Sequence, residues 1–195
     1  TGDREVHIRF YSQVWGFFLS AMVLVGGVMI VLCRLEIRVL AARSYYAAWQ
    51  YVPVLAMAMV FSAFSSFMNS VYVVMEKSHL SLWTAVWGAG ANILMNLWMI
   101  PRIGIQGAAI ATLVSYLMCF GIRAVSARRL IPFRLYPGRL TVSTGLLMLQ
   151  SALCFWGSPI QPFAQMGAFV LLVTVNHKPI FEMLEQVLRI IRRRA

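Results

Sequence analysis

Three arginines, Arg34, Arg38 and Arg43, stand close together in "CRLEIRVLAARSYYAAWQ", followed by Tyr45, Tyr46 and Trp49. A guanidinium matches phosphate geometry with a fork of N–H donors, so this cluster can attract an anionic headgroup at the mouth of a cavity. The same residues also suit a membrane–water interface, where aromatic and basic side chains collect. Both readings stay open. Asn92 and Asn96 lie four residues apart in an apolar run, and Asn69 and Gln150 are further amides inside such runs. In hydrocarbon an amide seeks a partner on a neighbouring helix or in a wet cavity. Lys77, beside Glu76, and Arg123 each close an apolar run. They either anchor the chain at the interface or face a polar ligand.

Covalent chemistry finds no such support. The chain has no GxxxxGK[ST] phosphate loop, which argues against nucleotide hydrolysis. His7, His79 and His177 stand apart from any nucleophile motif, so no catalytic residue is assigned and the chain is read as a non-enzyme. Cys33, Cys119 and Cys154 form no CxxC pair and sit in or beside apolar runs. No disulfide framework, metal site or cofactor is expected. No acid lies inside an apolar run, whereas proton or sodium coupling usually employs one.

The elements that carry these residues are membrane helices. Of 195 residues, 61% are hydrophobic and 12% charged, with a mean hydropathy of +0.76. A water-soluble domain of that composition would expose large apolar patches. The basic excess, 17 Lys and Arg against 6 Asp and Glu, is gathered between apolar runs. That placement reads as a topology signal rather than as a nucleic-acid surface.

A helix needs roughly 20 mostly apolar residues to cross the bilayer core, and six runs qualify approximately: 10–33, 51–75, 80–100, 104–122, 140–157 and 160–176. Pro101 and Arg102 are expected to close the third. The last two runs read as a short helical hairpin or as a re-entrant or interfacial segment, because Gln161 and Gln165 interrupt the sixth. In the tail 177–195, Ile180, Leu184, Val187, Leu188 and Ile191 fall at helical spacing, with Glu182 and Glu185 early and Arg192, Arg193 and Arg194 last. That order suits an amphipathic helix on the membrane surface. With the N-terminal end inside, 13 of the 17 basic residues are cytoplasmic, so both ends are expected there. The opening "TGDREVHIRF" has neither an initiator Met nor a signal-peptide pattern, and the expectation is a segment of a longer protein.

At the joint of the third and fourth runs, Gly104, Ala108, Ala111 and Ser115 line one helix face, as do Gly107, Ala111 and Ser115. Small residues in such a stripe let membrane helices approach closely. Packing alone accounts for them.

The joint also carries a resemblance. "GAGANILMNLWMIPRIGIQGAAIATLVSY", residues 88–116, is similar to N-x3-N-x3-IP-x2-GI-x-GAAIAT-x2-SY, a pattern of the polysaccharide transporters (Wzx-type oligosaccharide flippases) of the MATE-like exporter superfamily. Upstream, "YYAAWQYVPVLAMAMVFSAFSSFMNSVYVVMEKS", residues 45–78, resembles the helix of that family that ends in a Lys-bearing loop. The resemblance is closer over 10–123 than over the last two runs. It implies an all-α integral membrane protein with about six spans. Residues 1–123 would supply four spans of a C-terminal lobe, 124–139 a basic cytoplasmic loop, 140–176 two extra spans and 177–195 a basic amphipathic tail.

The implied function is flipping of undecaprenyl-diphosphate-linked glycan units across a bacterial cytoplasmic membrane, for O-antigen, capsule or exopolysaccharide assembly. Arg34, Arg38, Arg43, Asn69, Lys77, Asn92, Asn96 and Arg123 are the candidate substrate contacts. The implied partners are the lipid-linked oligosaccharide, membrane lipids, an N-terminal lobe preceding this segment and a glycan polymerase or transferase, with no nucleic acid. Alternatives are a cation-coupled multidrug exporter or lipid II flippase of the same superfamily, and a non-transport scaffold of a glycan-assembly complex.

Overall fold

A computed structural model describes residues 2–194, with side chains placed for 5–183 and 185. The described chain is all helical. α1 is Gly2–Leu40, followed by a 3-10 helix at Arg43–Gln50, then α2 Val52–Val74, α3 Ser78–Ile103, α4 Ile105–Leu130, α5 Pro137–Leu153 and α6 Gln161–Arg194. Three stretches are long and apolar enough to cross a membrane: Glu5–Leu40, Val52–Val74 and Ile105–Leu130. The chain is therefore a helical membrane protein. α3 falls short because Ser78, His79, Ser81, Thr84, Asn92 and Asn96 dilute its apolar residues. Its exposed surface is nonetheless apolar, with Leu82, Trp83, Val86, Trp87, Leu94 and Leu97 uncovered.

Several helices run further than the hydropathy pattern. α3 passes through Pro101 and ends only at Gly104, which corrects the expectation that Pro101 terminates it. A proline in the last turn removes a single ladder bond, the one to the Leu97 carbonyl, and one carbonyl further on Arg102 Nη1 donates to the Trp98 carbonyl at 2.5 Å. Gly104 makes the stop, at φ 63° and ψ −143°, a conformation essentially reserved for glycine. α4 continues through Arg123, Arg128 and Arg129 to Leu130, so the first half of the supposed 124–139 loop is helix. The sixth run and the tail are likewise one helix, α6, with Pro179 inside it. The tail's Leu184, Val187, Leu188, Ile191 and Arg192 to Arg194 lie outside the described side chains.

The chain divides into two compact units: Leu32–Pro132, and Thr1–Val31 with Phe133–Ala195. In the first, α4 packs along both α2 and α3, which meet each other only sparsely. Phe61, Phe64 and Phe120 form its aromatic centre, with ring centroids 5.7 to 5.8 Å apart. Close approach of α3 and α4 depends on two glycines. A Cβ at Gly107 would come within 2.7 Å of the Met99 backbone, and one at Gly88 would collide with Cys119 Sγ.

In the second unit α5 and α6 pair and α1 packs on them, burying Trp15, Leu19, Leu147 and Leu172. A Cβ at Gly27 would meet Leu172 Cδ2 at 2.6 Å, so this glycine permits the contact of α1 with α6. The connection into α5 is fixed by α1. Trp15 Nε1 donates to the Leu135 carbonyl at 3.0 Å, and the Arg134 backbone N–H donates to Ser12 Oγ at 3.0 Å.

Candidate functional site

The sparse meeting of α2 with α3 leaves a groove floored by α4, of about 490 Å³. Ser62, Ser65 and Ser66 line it from α2, Gly88 and Asn92 from α3, and Thr112, Ser115, Tyr116, Cys119 and Arg123 from α4. A run of hydroxyls is cheap to place in a membrane helix because each can return a hydrogen bond to the preceding turn. Thr112 Oγ1 donates to the Ala108 carbonyl at 2.9 Å and Ser115 Oγ to the Ala111 carbonyl at 2.7 Å. Their remaining lone pairs stay available to a ligand.

Arg123 is the centre of the arrangement. Its Nε donates to Thr84 Oγ1 at 2.9 Å, its Nη1 to the Ser65 carbonyl and Ser65 Oγ at 3.2 Å each, and its Nη2 lies 3.5 Å from the Ser81 carbonyl. The α4 guanidinium thus reaches both α2 and α3. Every acceptor is neutral, and among the described residues no carboxylate neutralises it. A half-buried cation held only by neutral oxygens presents an unbalanced positive charge to whatever enters.

The other candidate contacts are distributed unevenly. Asn92 lines the groove and accepts from Asn96 Nδ2 at 2.9 Å. The pair therefore bond along α3 instead of bridging two helices, and Asn96 Oδ1 is buried without a partner. Asn69 and Lys77 do not line the groove. Asn69 Oδ1 is buried without a partner, whereas Lys77 is exposed in the turn before α3. Gln150 is fully buried with neither side-chain amide atom bonded; its backbone carbonyl accepts from Gln165 Nε2 at 3.0 Å.

Arg34, Arg38 and Arg43 are all exposed. Arg34 lies over the Trp49 ring at 4.5 Å and Arg38 over the Tyr46 ring at 5.9 Å, cation–π contacts worth about 0.5–1 kcal/mol at such sites. Arg38, Arg43 and Tyr46 border a shallow surface hollow separate from the groove. Of the small-residue stripe, Gly107, Ala111 and Ser115 are buried, Ala108 is half-buried and Gly104 is exposed. Gly104 therefore acts through its backbone angle rather than through packing.

Sequence reasoning missed Ser62, Ser65, Ser66, Thr84 and Tyr116. One signal for the site was present: the Gly107, Ala111, Ser115 spacing continues to Cys119 and Arg123, which puts the arginine on the same ridge. Hydroxyls at 62, 65 and 66 also share one face of a helix.

Comparison with known protein families, curated proteins and solved structures finds no match for this chain.

Proposed function

We propose that this chain forms one lobe of a flippase for lipid-linked oligosaccharides, of the kind that carries polyprenyl-diphosphate glycan units across a bacterial cytoplasmic membrane. The observation that carries the reading is the unneutralised Arg123 in a groove of serines, a threonine, an asparagine and a tyrosine. The diphosphate of such a substrate is anionic and its sugars are dense in hydroxyls. A guanidinium supplies attraction for the first, and hydroxyls and amides supply exchangeable hydrogen bonds for the second. The lipid tail stays in the bilayer while the headgroup moves along the groove. The apolar outer face of α3, with Trp83 and Trp87 exposed, suits contact with acyl chains.

In this reading α1, α2 and α4 are joined as spans by α3, α5 and the first half of α6, with both ends of the chain cytoplasmic. α3 has 26 residues, about 39 Å at 1.5 Å per residue, which covers a hydrocarbon core of about 30 Å. The fixed cation in the groove disfavours organic cations as cargo and so weighs against the multidrug alternative.

The test is a vesicle assay. The full-length protein is reconstituted, and translocation of a fluorescent polyprenyl-diphosphate oligosaccharide is followed by quenching from outside. Translocation that depends on the protein and falls in Arg123→Gln supports the proposal. Binding without translocation favours a scaffold, and translocation unchanged in Arg123→Gln removes the groove from the transport path.

A further inference from the structure

A second pocket lies in the other unit, at the base of α1, α5 and α6. It encloses about 290 Å³ and is lined by Ser12, Gln13, Gly16, Tyr136, Arg139, Lys178 and Glu182, among others. We propose that this pocket binds the phosphate of an anionic phospholipid headgroup at the cytoplasmic surface of the membrane.

Arg139 is built into the pocket. Its Nη2 donates to the Gly16 carbonyl at 2.9 Å, and its guanidinium lies over the Tyr136 ring at 4.8 Å. Gly16 makes room for it, since a Cβ there would stand 3.2 Å from Nη2 and 3.3 Å from the Tyr136 ring. Tyr136 is presented by a left-handed backbone, φ 49° and ψ 58°, immediately before Pro137 opens α5. Held in this way, Arg139 still has a buried Nε–H with no acceptor. An oxyanion entering the pocket would offset the field of this incompletely satisfied guanidinium. Lys178 brings a second, exposed cation from α6.

Glu182 is the one acid in the lining, and its field acts on Arg139. Among the described residues it forms no ion pair with that arginine. Two cations against one carboxylate leave the pocket a net positive charge.

Level fixes the source of the phosphate. Ser12, Gln13 and Gly16 lie at the start of the first apolar run, Arg139 directly precedes the fifth, and Lys178 stands two residues past the end of the sixth. Three span ends on the side rich in basic residues thus meet at one pocket, at the depth where phospholipid phosphates lie. This placement rests on the membrane reading of α1, α5 and α6, and not on any glycan in the α2–α4 groove.

The experiment uses the full-length protein in nanodiscs of phosphatidylcholine with or without phosphatidylglycerol, with retained lipid counted by native mass spectrometry after release. A parallel arm adds inorganic phosphate as competitor. The wild type is expected to retain phosphatidylglycerol, with retention falling about tenfold in Arg139→Gln and roughly fivefold in Lys178→Gln. Lys178 is exposed, so its substitution leaves the fold intact and keeps the test decisive if Arg139→Gln misfolds. Displacement of the lipid by millimolar phosphate would show that the anion alone is recognised, and resistance to it that the whole headgroup is; either supports the site. Retention equal in wild type and Lys178→Gln, or absent from the wild type, overturns it. Glycan translocation is read separately, in the vesicle assay, through Arg123→Gln.

Discussion

The two units differ in where their polar side chains face. In Leu32–Pro132 the polar residues are mostly short hydroxyls that open onto a groove, and one arginine spans three helices to tie them together. The α1, α5 and α6 unit buries serines as well, Ser20, Ser143 and Ser151 among them, but adds amides sealed between helices: Gln150, Gln165 and Asn176 are all buried, with Asn176 Nδ2 bonded to Ser143 Oγ at 2.9 Å. Hydroxyls satisfied within their own helix can face a ligand without penalty when it leaves. Amides trapped without full satisfaction cost stability and hold helices in register. The groove of the first unit is suited to exchange partners, and the buried amides of the second to keep theirs.

The largest expected effect breaks this contrast at its functional end. Arg123→Gln removes the one charge among the described residues that line the groove and with it a charge-assisted contact of about 2–3 kcal/mol, so headgroup translocation should fall about a hundredfold. A vesicle assay that finds less than a threefold change would place the groove on a par with the sealed unit.

Next comes the packing that opens the groove. Gly107→Val drives a side chain into the Met99 backbone and should destabilise the protein by about 1–3 kcal/mol, read as a lowered melting temperature in detergent. Gly145→Ala is the comparison: nothing lies within 4 Å of a Cβ there. Relief of glycine's helix penalty should leave it unchanged or stabilised by up to about 1 kcal/mol.

Gln150→Met sharpens the sealed side. It replaces an amide with two unbonded atoms by an apolar chain of similar size, and a gain of about 1 kcal/mol is expected. A loss would mean that the amide is satisfied through a partner such as ordered water. The smallest effect belongs to Lys77→Gln, exposed and away from both pockets, with stability within about 0.5 kcal/mol of wild type and translocation unaltered.

Helix positions were largely legible, because apolar length and helix length coincide where nothing else intervenes. The run 51–75 becomes Val52–Val74, and the start expected at 104 becomes Ile105. Helix ends were less legible. Charge marks where hydrocarbon stops, but a backbone ladder does not sense that boundary, so α4 carries Arg128 and Arg129 and α6 runs beyond Lys178. Pro101 misled for a related reason: a residue that forbids one bond is harmless where the ladder is already running out.

The site was half legible. Asn92 was read as polar in apolar surroundings and Arg123 as the end of an apolar run, but their roles depend on which helix each faces, and periodicity alone does not give that. The groove serines were hidden because Ser and Thr bonded to their own turn look like ordinary packing residues.

The single-residue joint at Gly104 has a consequence for how the polypeptide assembles. α3 is diluted by polar residues, whereas its neighbour α4 is apolar enough to enter a bilayer alone. With only one residue between them, bringing the two together costs little loop-closure entropy, and their contacts are local in sequence. The tight hinge thus ties the place of the polar-diluted helix to that of its apolar neighbour, and lets the floor and one wall of the groove form as a single helical hairpin.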